Sequence, residues 1–220
     1  SAFGRIDVTT SRSERYESPG ALPHVMPAGI REDLRRRDFT VNAMAIELSS
    51  GAFDLIDPLG GRLDLARRRL CALHPLSYVE DPTRIFRAAR YAARLGLAHD
   101  PATARAQTLA LRLAPYPALS GRRIAAELVR VLDETQAGHI LAGLGRSGAF
   151  RLLDPGYRFT AANRRRLGEL PQALAWARER ALDVDAVGLA ALAIIGGQPS
   201  AVAAAALARL GFSGGPLAIL

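Results

Sequence analysis

The sequence predicts an α+β protein in which short strands come first and helices follow. Alternating, β-branched residues at 5–10 predict a strand, although one so close to the first residue is unusual. The segments 45–48 and 52–56 flank a Ser-Ser-Gly turn and predict a β-hairpin. From Asp81 onward, apolar residues recur at helical spacing. We therefore expect a strand-containing part followed by an all-helical part.

Composition narrows the class of protein. The 220 residues carry 29 basic and 21 acidic side chains, a net charge of +8, and all 29 are arginine. This excess of positive charge suits a polyanionic partner without proving one.

The single cysteine, Cys71, excludes a disulfide framework and a cysteine metal site within the chain, and favours a buried thiol in a cytoplasmic protein. The apolar tracts 186–196 and 201–210 are too short to span a membrane, so we expect a soluble protein without a membrane partner.

The strongest helix signal covers residues 79–96. Asp81 is a good N-cap, Pro82 suits the first helical position, and Gly96 is a natural stop. Arginines at every third position form a slanting cationic stripe: Arg84, Arg87 and Arg90. Two interpretations stay open. In one, the stripe is a solvated face and Asp81 only a cap. In the other, Asp81 and Arg84 face a cleft and meet the edge of a nucleobase, while the other two arginines reach phosphates.

The remaining segments are assigned from turn and cap signals. Residues 11–27 contain three prolines and predict a loop, and 30–42 predict a basic helical surface. Asp57-Pro58-Leu59-Gly60-Gly61 predicts a sharp turn. Asp100 and Ser120 are expected to cap further helices. The aromatic residues Tyr157, Phe159 and Trp176 are expected in the core. Helices are predicted near 62–69, 101–114, 121–134, 139–146, 171–182, 184–196 and 201–210.

Three sequence blocks occur in one order. They are Arg36-Arg37-Asp38-Phe39-Thr40-Val41-Asn42-Ala43-Met44-Ala45, then Asp57-Pro58-Leu59-Gly60-Gly61 continuing to Asp64-Leu65, then Glu80-Asp81-Pro82-Thr83-Arg84 continuing through Arg87 to Arg90. With this order and spacing, the chain resembles the class II tRNA nucleotidyltransferases (CCA-adding enzymes) and the related bacterial poly(A) polymerases. The resemblance covers roughly residues 3–135.

The resemblance implies an arrangement in three parts. Residues 1–58 would be the C-terminal part of a nucleotidyltransferase-type head domain. Residues 59–136 would be neck helices that carry the base-reading motif, and 137–220 a truncated helical body. The chain would then be a fragment whose numbering begins inside its parent protein.

The resemblance also implies site residues. Nucleotide binding falls to Arg37, Asp81, Arg84, Arg87 and Arg90. Supporting roles fall to Asp38, Asn42, Arg123 and Glu127, where Asp38 either orients Arg37 or meets the ribose hydroxyl. Asp7 is a candidate for a further metal-binding carboxylate, although such an acid is more often a solvated strand residue.

The implied activity is template-independent transfer of nucleotides from CTP and ATP to the 3′ end of tRNA or another RNA, with Mg²⁺. The family's metal-binding Asp-x-Asp pair does not precede Arg37, and Asp183-Val184-Asp185 is expected to cap a helix. We therefore expect no metal site in this chain and no catalysis by it alone. The alternatives are a non-catalytic RNA-binding module and a poly(A) polymerase of the same family. The motifs do not separate CCA, CC, A or poly(A) addition, and the oligomeric state stays open.

Overall fold

The computed structural model describes residues 6–49 and 51–212, which form a strand-containing part followed by packed helices. Within this part of the chain, six short strands make three pairs. Strands β1 (Arg12–Arg15) and β2 (His24–Pro27) are antiparallel, with Arg12 opposite Pro27. Strands β3 (Ala45–Ile46) and β4 (Leu55–Ile56) are also antiparallel, whereas β5 (Arg69–Leu70) and β6 (Ala98–His99) are parallel.

The described residues also form ten α-helices and two short 3₁₀ turns. The 3₁₀ turns are Thr40–Asn42 and Ala149–Leu152. The helices are α1 (Ile30–Arg35), α2 (Gly61–Ala66), α3 (Ser77–Glu80), α4 (Arg84–Leu95), α5 (Pro101–Leu113), α6 (Gly121–Leu132), α7 (Ala137–Ser147), α8 (Ala161–Glu179), α9 (Ala186–Ile195) and α10 (Ser200–Leu210).

The first part of the chain differs from the prediction. The strand expected at 5–10 is wrong for residues 6–10, which have no regular structure, and residue 5 lies outside the described residues. The loop expected at 11–27 is wrong at both of its ends, which pair as β1 and β2. Alternation alone does not make a strand, because a strand also needs a partner for its backbone groups. The hairpin expected at 45–56 is confirmed by the pairing of β3 with β4; its turn residue 50 lies outside the described residues.

The helix expected at 79–96 is divided at Asp81. Pro82 disfavours helical angles at the residue before it, and Asp81 accordingly lies at φ −133° and ψ 95°. The prediction of Asp81 as N-cap and Pro82 as first helical residue is wrong, because Thr83 is the N-cap of α4; the Asp81 carboxylate accepts a hydrogen bond of 3.0 Å from the Thr83 N–H in the turn before the helix. Gly96 ends α4 in the left-handed conformation, at φ 62°. The break places Asp81 between two helices.

Helix α8 begins ten residues before the predicted start at 171. Thr160 and Asn163 cap it reciprocally, and Pro171 lies inside it. The proline leaves the Leu167 carbonyl without its intrahelical donor. That carbonyl instead packs on Gly138 of α7, where a Cβ atom would come within 2.4 Å of it. The sequence predicted a helix start at Pro171. In the structure this proline lies inside α8, where α7 packs closely against the Leu167 carbonyl.

Several side-chain expectations are also settled. Asp100 caps α5 by accepting the Ala102 N–H at 2.9 Å, whereas Ser120 occupies its N-cap position without a side-chain cap bond. Trp176 is not in the core, since it is 51% exposed. Tyr157 is buried and donates its hydroxyl to the Ile194 carbonyl. Cys71 is half-buried, and burial raises the pKa of its thiol to about 12.

One continuous apolar cluster runs from the strand-containing part to the last helix. It begins with Phe39 and Tyr78, passes through Ile85 and Phe86 of α4, and reaches Leu210 of α10. The division into residues 1–58, 59–136 and 137–220 stays a prediction. Among the described helices, none is both long and apolar enough to cross a bilayer.

Gly61 lets α2 approach the 3₁₀ turn at Thr40–Asn42. A Cβ atom on Gly61 would come within 2.1 Å of the Thr40 carbonyl oxygen, which is backbone and cannot move aside. We expect Gly61→Ala to lower the free energy of unfolding by about 1–3 kcal/mol, measured by urea denaturation.

Gly168 provides the matched control for that substitution. It lies on the exposed side of α8 with open space around it. Gly168→Ala should therefore raise stability by about 0.5–1 kcal/mol through helix propensity. Equal stability of Gly61→Ala and the parent would contradict the close approach of α2.

Candidate functional site

An open cleft of about 640 Å³ lies where the end of β1 meets α1 and the junction between α3 and α4. We refer to it as the candidate cleft. Its polar lining includes Arg15, Tyr16, Arg35, Arg36, Glu80 and Arg84. Three separate segments thus bring guanidinium groups, carboxylates and one phenol to the same space.

Arg84 is the most constrained side chain in the candidate cleft, and it is only 3% exposed. Its Nε lies 3.0 Å from Asp38 Oδ1. Its Nη1 donates to the Ser77 hydroxyl and carbonyl oxygens at 2.8 and 3.1 Å. Its Nη2 donates to the Arg36 carbonyl at 3.1 Å. Contacts at all three nitrogens fix the plane of this guanidinium group.

Asp38 joins Arg84 to the next arginine of the stripe. It is 5% exposed, and its Oδ2 lies 2.6 Å from Arg87 Nη2. The expectation that Asp38 orients Arg37 is therefore corrected, because Asp38 contacts Arg84 and Arg87 instead. The solvated-face interpretation is likewise wrong for Arg84. Arg87 lies about one helical turn after Arg84 on the same side of α4, so both arginines contact the Asp38 carboxylate.

Asp81 is not among the residues that line the candidate cleft, and it is held by α6. Its Oδ1 accepts from the Thr83 hydroxyl at 2.6 Å and lies 2.8 Å from Arg123 Nη2. Arg123 also donates from Nη1 to the Gly20 carbonyl at 2.7 Å. One guanidinium group therefore connects Asp81 to the loop that follows β1.

Arg90 lies away from the candidate cleft, in a second group of ion pairs. Its Nη1 is 3.4 Å from Glu127, and its Nε is 3.5 Å from Glu134. Glu127 is also 2.8 Å from Arg130. Burial raises the pKa of Glu127, against the opposing effect of Arg87, Arg130 and Arg90. Arg90 is 8% exposed, so the solvated-face interpretation is wrong here too.

Arg37 points to a different acid from the one expected. Asp33 lies 2.6 Å from both Arg37 Nη2 and Arg36 Nη2. Burial would raise the pKa of Asp33, but hydrogen bonds from Arg37, Arg36 and the Arg12 N–H lower it to about 2. The side chain of Arg37 stays 44% exposed and so keeps donors facing solvent.

The other predicted residues have local surroundings. Asn42 accepts the Phe39 N–H at 3.0 Å and closes the 3₁₀ turn beside Asp38. Asp7 is exposed in a segment without regular structure. Asp185 caps α9 by accepting the Val187 N–H, as expected.

Sequence reasoning did not nominate Arg15, Tyr16 and Arg35 as site residues, yet they line the candidate cleft. Both arginines are exposed, and neither has a carboxylate within 4.0 Å in the described part of the chain. A run of basic residues gives no signal of which members are neutralised. The segment 12–16 is polar throughout, so no alternation of polar and apolar residues marks it as a strand that lines a cleft.

Comparisons with known proteins agree with the motifs. A family described as the Poly A polymerase head domain matches residues 2–71. An A-adding tRNA nucleotidyltransferase of Geobacter sulfurreducens is 36% identical over 173 residues, which are 78% of this chain and 20% of that protein. A CC-adding tRNA nucleotidyltransferase of Deinococcus radiodurans is 42% identical over 148 residues, 67% of this chain and 38% of that protein. The solved structure of a CCA-adding enzyme, apo form II, matches with a TM-score of 0.86 at 30% identity. The match covers 97% of this chain and 50% of the chain of that enzyme.

The chain belongs to the class II tRNA nucleotidyltransferase family. The α+β class is confirmed by the likeness to the solved CCA-adding enzyme. The chain spans between a fifth and a half of the length of these three relatives.

Members of this family generally use a divalent metal ion. Hard divalent cations need several oxygen ligands, usually carboxylates. Among residues 6–49 and 51–212, no group of three or more His, Cys, Asp or Glu side chains could hold such an ion. Asp33, Asp38 and Asp81 are each engaged by arginines. The described residues of this nucleotidyltransferase family member therefore do not fit a metal site.

Replacing Asp38 should test the buried ion cluster. Asp38→Asn keeps the shape but removes the negative charge between Arg84 and Arg87, leaving Arg84 only its longer pair of 3.7 Å with Glu80. We expect the free energy of unfolding to fall by about 3 kcal/mol in urea denaturation. The control is Glu169→Gln, which removes the exposed pair with Arg165 and should change stability by less than about 1 kcal/mol. Similar small effects for both variants would refute the cluster's role.

Asp33 should contribute a pH-dependent part of the stability. Its pKa is lower in the folded chain than the unfolded value of 3.8, so its contribution is present above about pH 4. That contribution should be lost as the pH falls from about 4 to about 2. We expect Asp33→Asn to flatten the stability profile in this window, measured by thermal unfolding at successive pH values. A parallel profile for the variant and the parent would contradict the assignment.

Proposed function

We propose that this chain selects the nucleotide in template-independent transfer from CTP and ATP to the 3′ end of tRNA. The observation that carries the proposal is the fixed guanidinium group of Arg84 at the wall of the candidate cleft. A donor group whose plane is set by its protein contacts can act as a template for the edge of a base.

Hydrogen-bond chemistry explains which bases this pair would accept. The exocyclic amino groups of cytosine and adenine are donors, and the adjacent ring nitrogens are acceptors. Asp81 uses Oδ1 for Thr83 and Arg123, so Oδ2 is the oxygen we assign to the amino group. Arg84 would donate to the ring nitrogen from Nη2, in place of its long hydrogen bond of 3.5 Å to the Tyr16 hydroxyl. Guanine presents an oxygen where adenine has its amino group, so it would face Asp81 with acceptor against acceptor.

The other arginines divide into two groups under this proposal. Arg37 and Arg87 keep partly exposed side chains, 44% and 35%, and we assign them to the nucleotide's phosphates or ribose. Arg90 is paired in the second ion cluster and contributes to the nucleotide through the position of α4. Arg123, Glu127, Asp38 and Asn42 support these side chains through the contacts described above.

The metal and the cellular setting are further parts of the proposal. The proposed ion is Mg²⁺, which in this reaction neutralises charge on the triphosphate. Since the described residues do not fit a metal site, we assign no residue and no catalytic step to it, and we propose that the chain alone does not catalyse transfer. The proposed partners are tRNA, CTP and ATP in the cytoplasm. We also propose residues 1–58 as head, 59–136 as neck and 137–220 as body.

A non-catalytic RNA-binding module is the second candidate. The observation that favours it is the net charge of +8, carried wholly by arginine. The two candidates differ in one measurement, the incorporation of labelled CTP and ATP onto tRNA that lacks its 3′ end. Incorporation by protein from the complete reading frame, with Mg²⁺, supports the transferase. Binding of tRNA with no incorporation supports the module, and addition of a long A tail would indicate a poly(A) polymerase.

Arg84→Lys should separate base reading from charge. Lysine keeps the positive charge but loses the planar fork, so we expect weaker binding of CTP and ATP together, by about tenfold each. The measurement is titration calorimetry of the chain with each nucleotide. Arg94→Lys is the matched control, because Arg94 lies on the same helix but pairs with Glu134 at the exposed end. Unchanged affinity of Arg84→Lys for both nucleotides would rule out base reading by Arg84.

A further inference from the structure

We propose that Tyr16 is the surface on which the nucleobase stacks in the candidate cleft, an inference that rests on the proposed function. Tyr16 follows β1 and lines the cleft together with Arg84. Nothing in the motif blocks points to it, because it lies twenty residues before the first of them. Its role is inferred from how its ring is held.

Tyr16 and Arg84 contact each other through the phenol hydroxyl and, at longer range, over the ring. The Tyr16 hydroxyl accepts a long hydrogen bond of 3.5 Å from Arg84 Nη2 and donates to Glu14 Oε2 at 3.3 Å. The Arg84 Cζ atom is 5.8 Å from the ring centroid. Stacked groups approach to about 3.5–4.0 Å, so this contact is a long cation–π contact over the ring and not a stacked one.

The ring is nevertheless fixed. Its hydroxyl is held between an acid and a guanidinium group, and the side chain is half-buried. Burial raises the pKa of Tyr16 to about 12, so the phenol stays neutral near pH 7 and keeps the proton that it donates to Glu14. A half-buried aromatic group with two torsions loses little further freedom when a ligand packs on it.

A nucleotide matches the chemistry around this ring. A base that stacks on Tyr16 would present its edge toward Arg84, the side chain to which the phenol is bonded. Arg15 and Arg35, which lack carboxylate partners among the described residues, also line the cleft and could neutralise phosphates. Stacking therefore adds affinity for any base, while Arg84 and Asp81 decide which edge is accepted. Because a purine has the larger face, ATP should depend on the ring more than CTP does.

Two substitutions at one position separate stacking from hydrogen bonding. Tyr16→Leu removes the aromatic face, and Tyr16→Phe keeps it but removes the hydroxyl that contacts Arg84 and Glu14. We expect Tyr16→Leu to raise the Kd about tenfold for ATP and less for CTP, measured by calorimetry on the chain. Tyr16→Phe should stay within about threefold of the parent for both. Trp176→Leu, at an exposed aromatic residue outside the cleft, is the control and should bind as the parent does.

The outcomes are distinguishable. Equal losses for Tyr16→Phe and Tyr16→Leu would mean that the hydroxyl acts by positioning Arg84, and would overturn stacking. Parental affinity of Tyr16→Leu would also overturn it, while leaving the proposed function intact. If the parent chain binds neither nucleotide and the complete protein incorporates none, the proposed function fails and this inference with it.

A fluorescence measurement covers the case in which Tyr16→Leu does not fold. Trp176 is the only tryptophan in the chain, so Trp176→Phe removes the native signal. Combining it with Tyr16→Trp places one reporter at the cleft and keeps an aromatic face. Stacking predicts that ATP and CTP quench this emission with the same Kd that calorimetry gives. Emission that does not respond to saturating nucleotide would overturn the proposal.

Discussion

The candidate cleft depends on one buried carboxylate shared by two arginines. Asp38 lies between Arg84 and Arg87, and taking these charges out of water is costly unless their geometry is good. The cluster is therefore better understood as a constraint on orientation than as a source of net stability. It fixes α4 against the 3₁₀ turn at Thr40–Asn42, and Gly61 allows α2 to close on the same turn from the other side. The plane of the Arg84 guanidinium group follows from this arrangement.

The helical half of the fold could be predicted because its boundaries are set by local chemistry. Asp100 before Pro101 and the glycine at 96 act within one turn of the backbone, so their effects are visible in sequence. The start of α8 could not be predicted in the same way. Pro171 is tolerated there because Gly138, from another helix, packs on the freed Leu167 carbonyl. That compensation is tertiary and leaves no mark near position 171. The strand expected at 5–10 failed for a related reason, since pairing depends on a distant partner.

In the candidate site, too, contacts between residues distant in sequence could not be predicted. The motifs placed Asp81 and Arg84 correctly on either side of a helix start, and Arg84 lines a cleft. They did not show which acid pairs with which arginine. Arg36 pairs with Asp33 and Glu14, and Arg37 pairs with Asp33, while Arg35 is exposed without a carboxylate partner among the described residues. Arg35 is the last residue of α1 and the other two arginines follow the helix, so three adjacent side chains acquire different surroundings. Charge is a property of the sequence, but its compensation is a property of the fold.

The link made by Arg123 has a mechanical consequence. Its two terminal nitrogens hold the Asp81 carboxylate and the Gly20 carbonyl at once, across more than a hundred residues of chain. A carboxylate that shares its charge with a guanidinium group is a weaker acceptor than a lone one. If the loop after β1 shifts, Arg123 must release one of its two acceptors or move with it. The strength with which Asp81 accepts a hydrogen bond therefore depends on the position of a loop that also donates from the Gly20 N–H to the neighbouring Glu80 carbonyl.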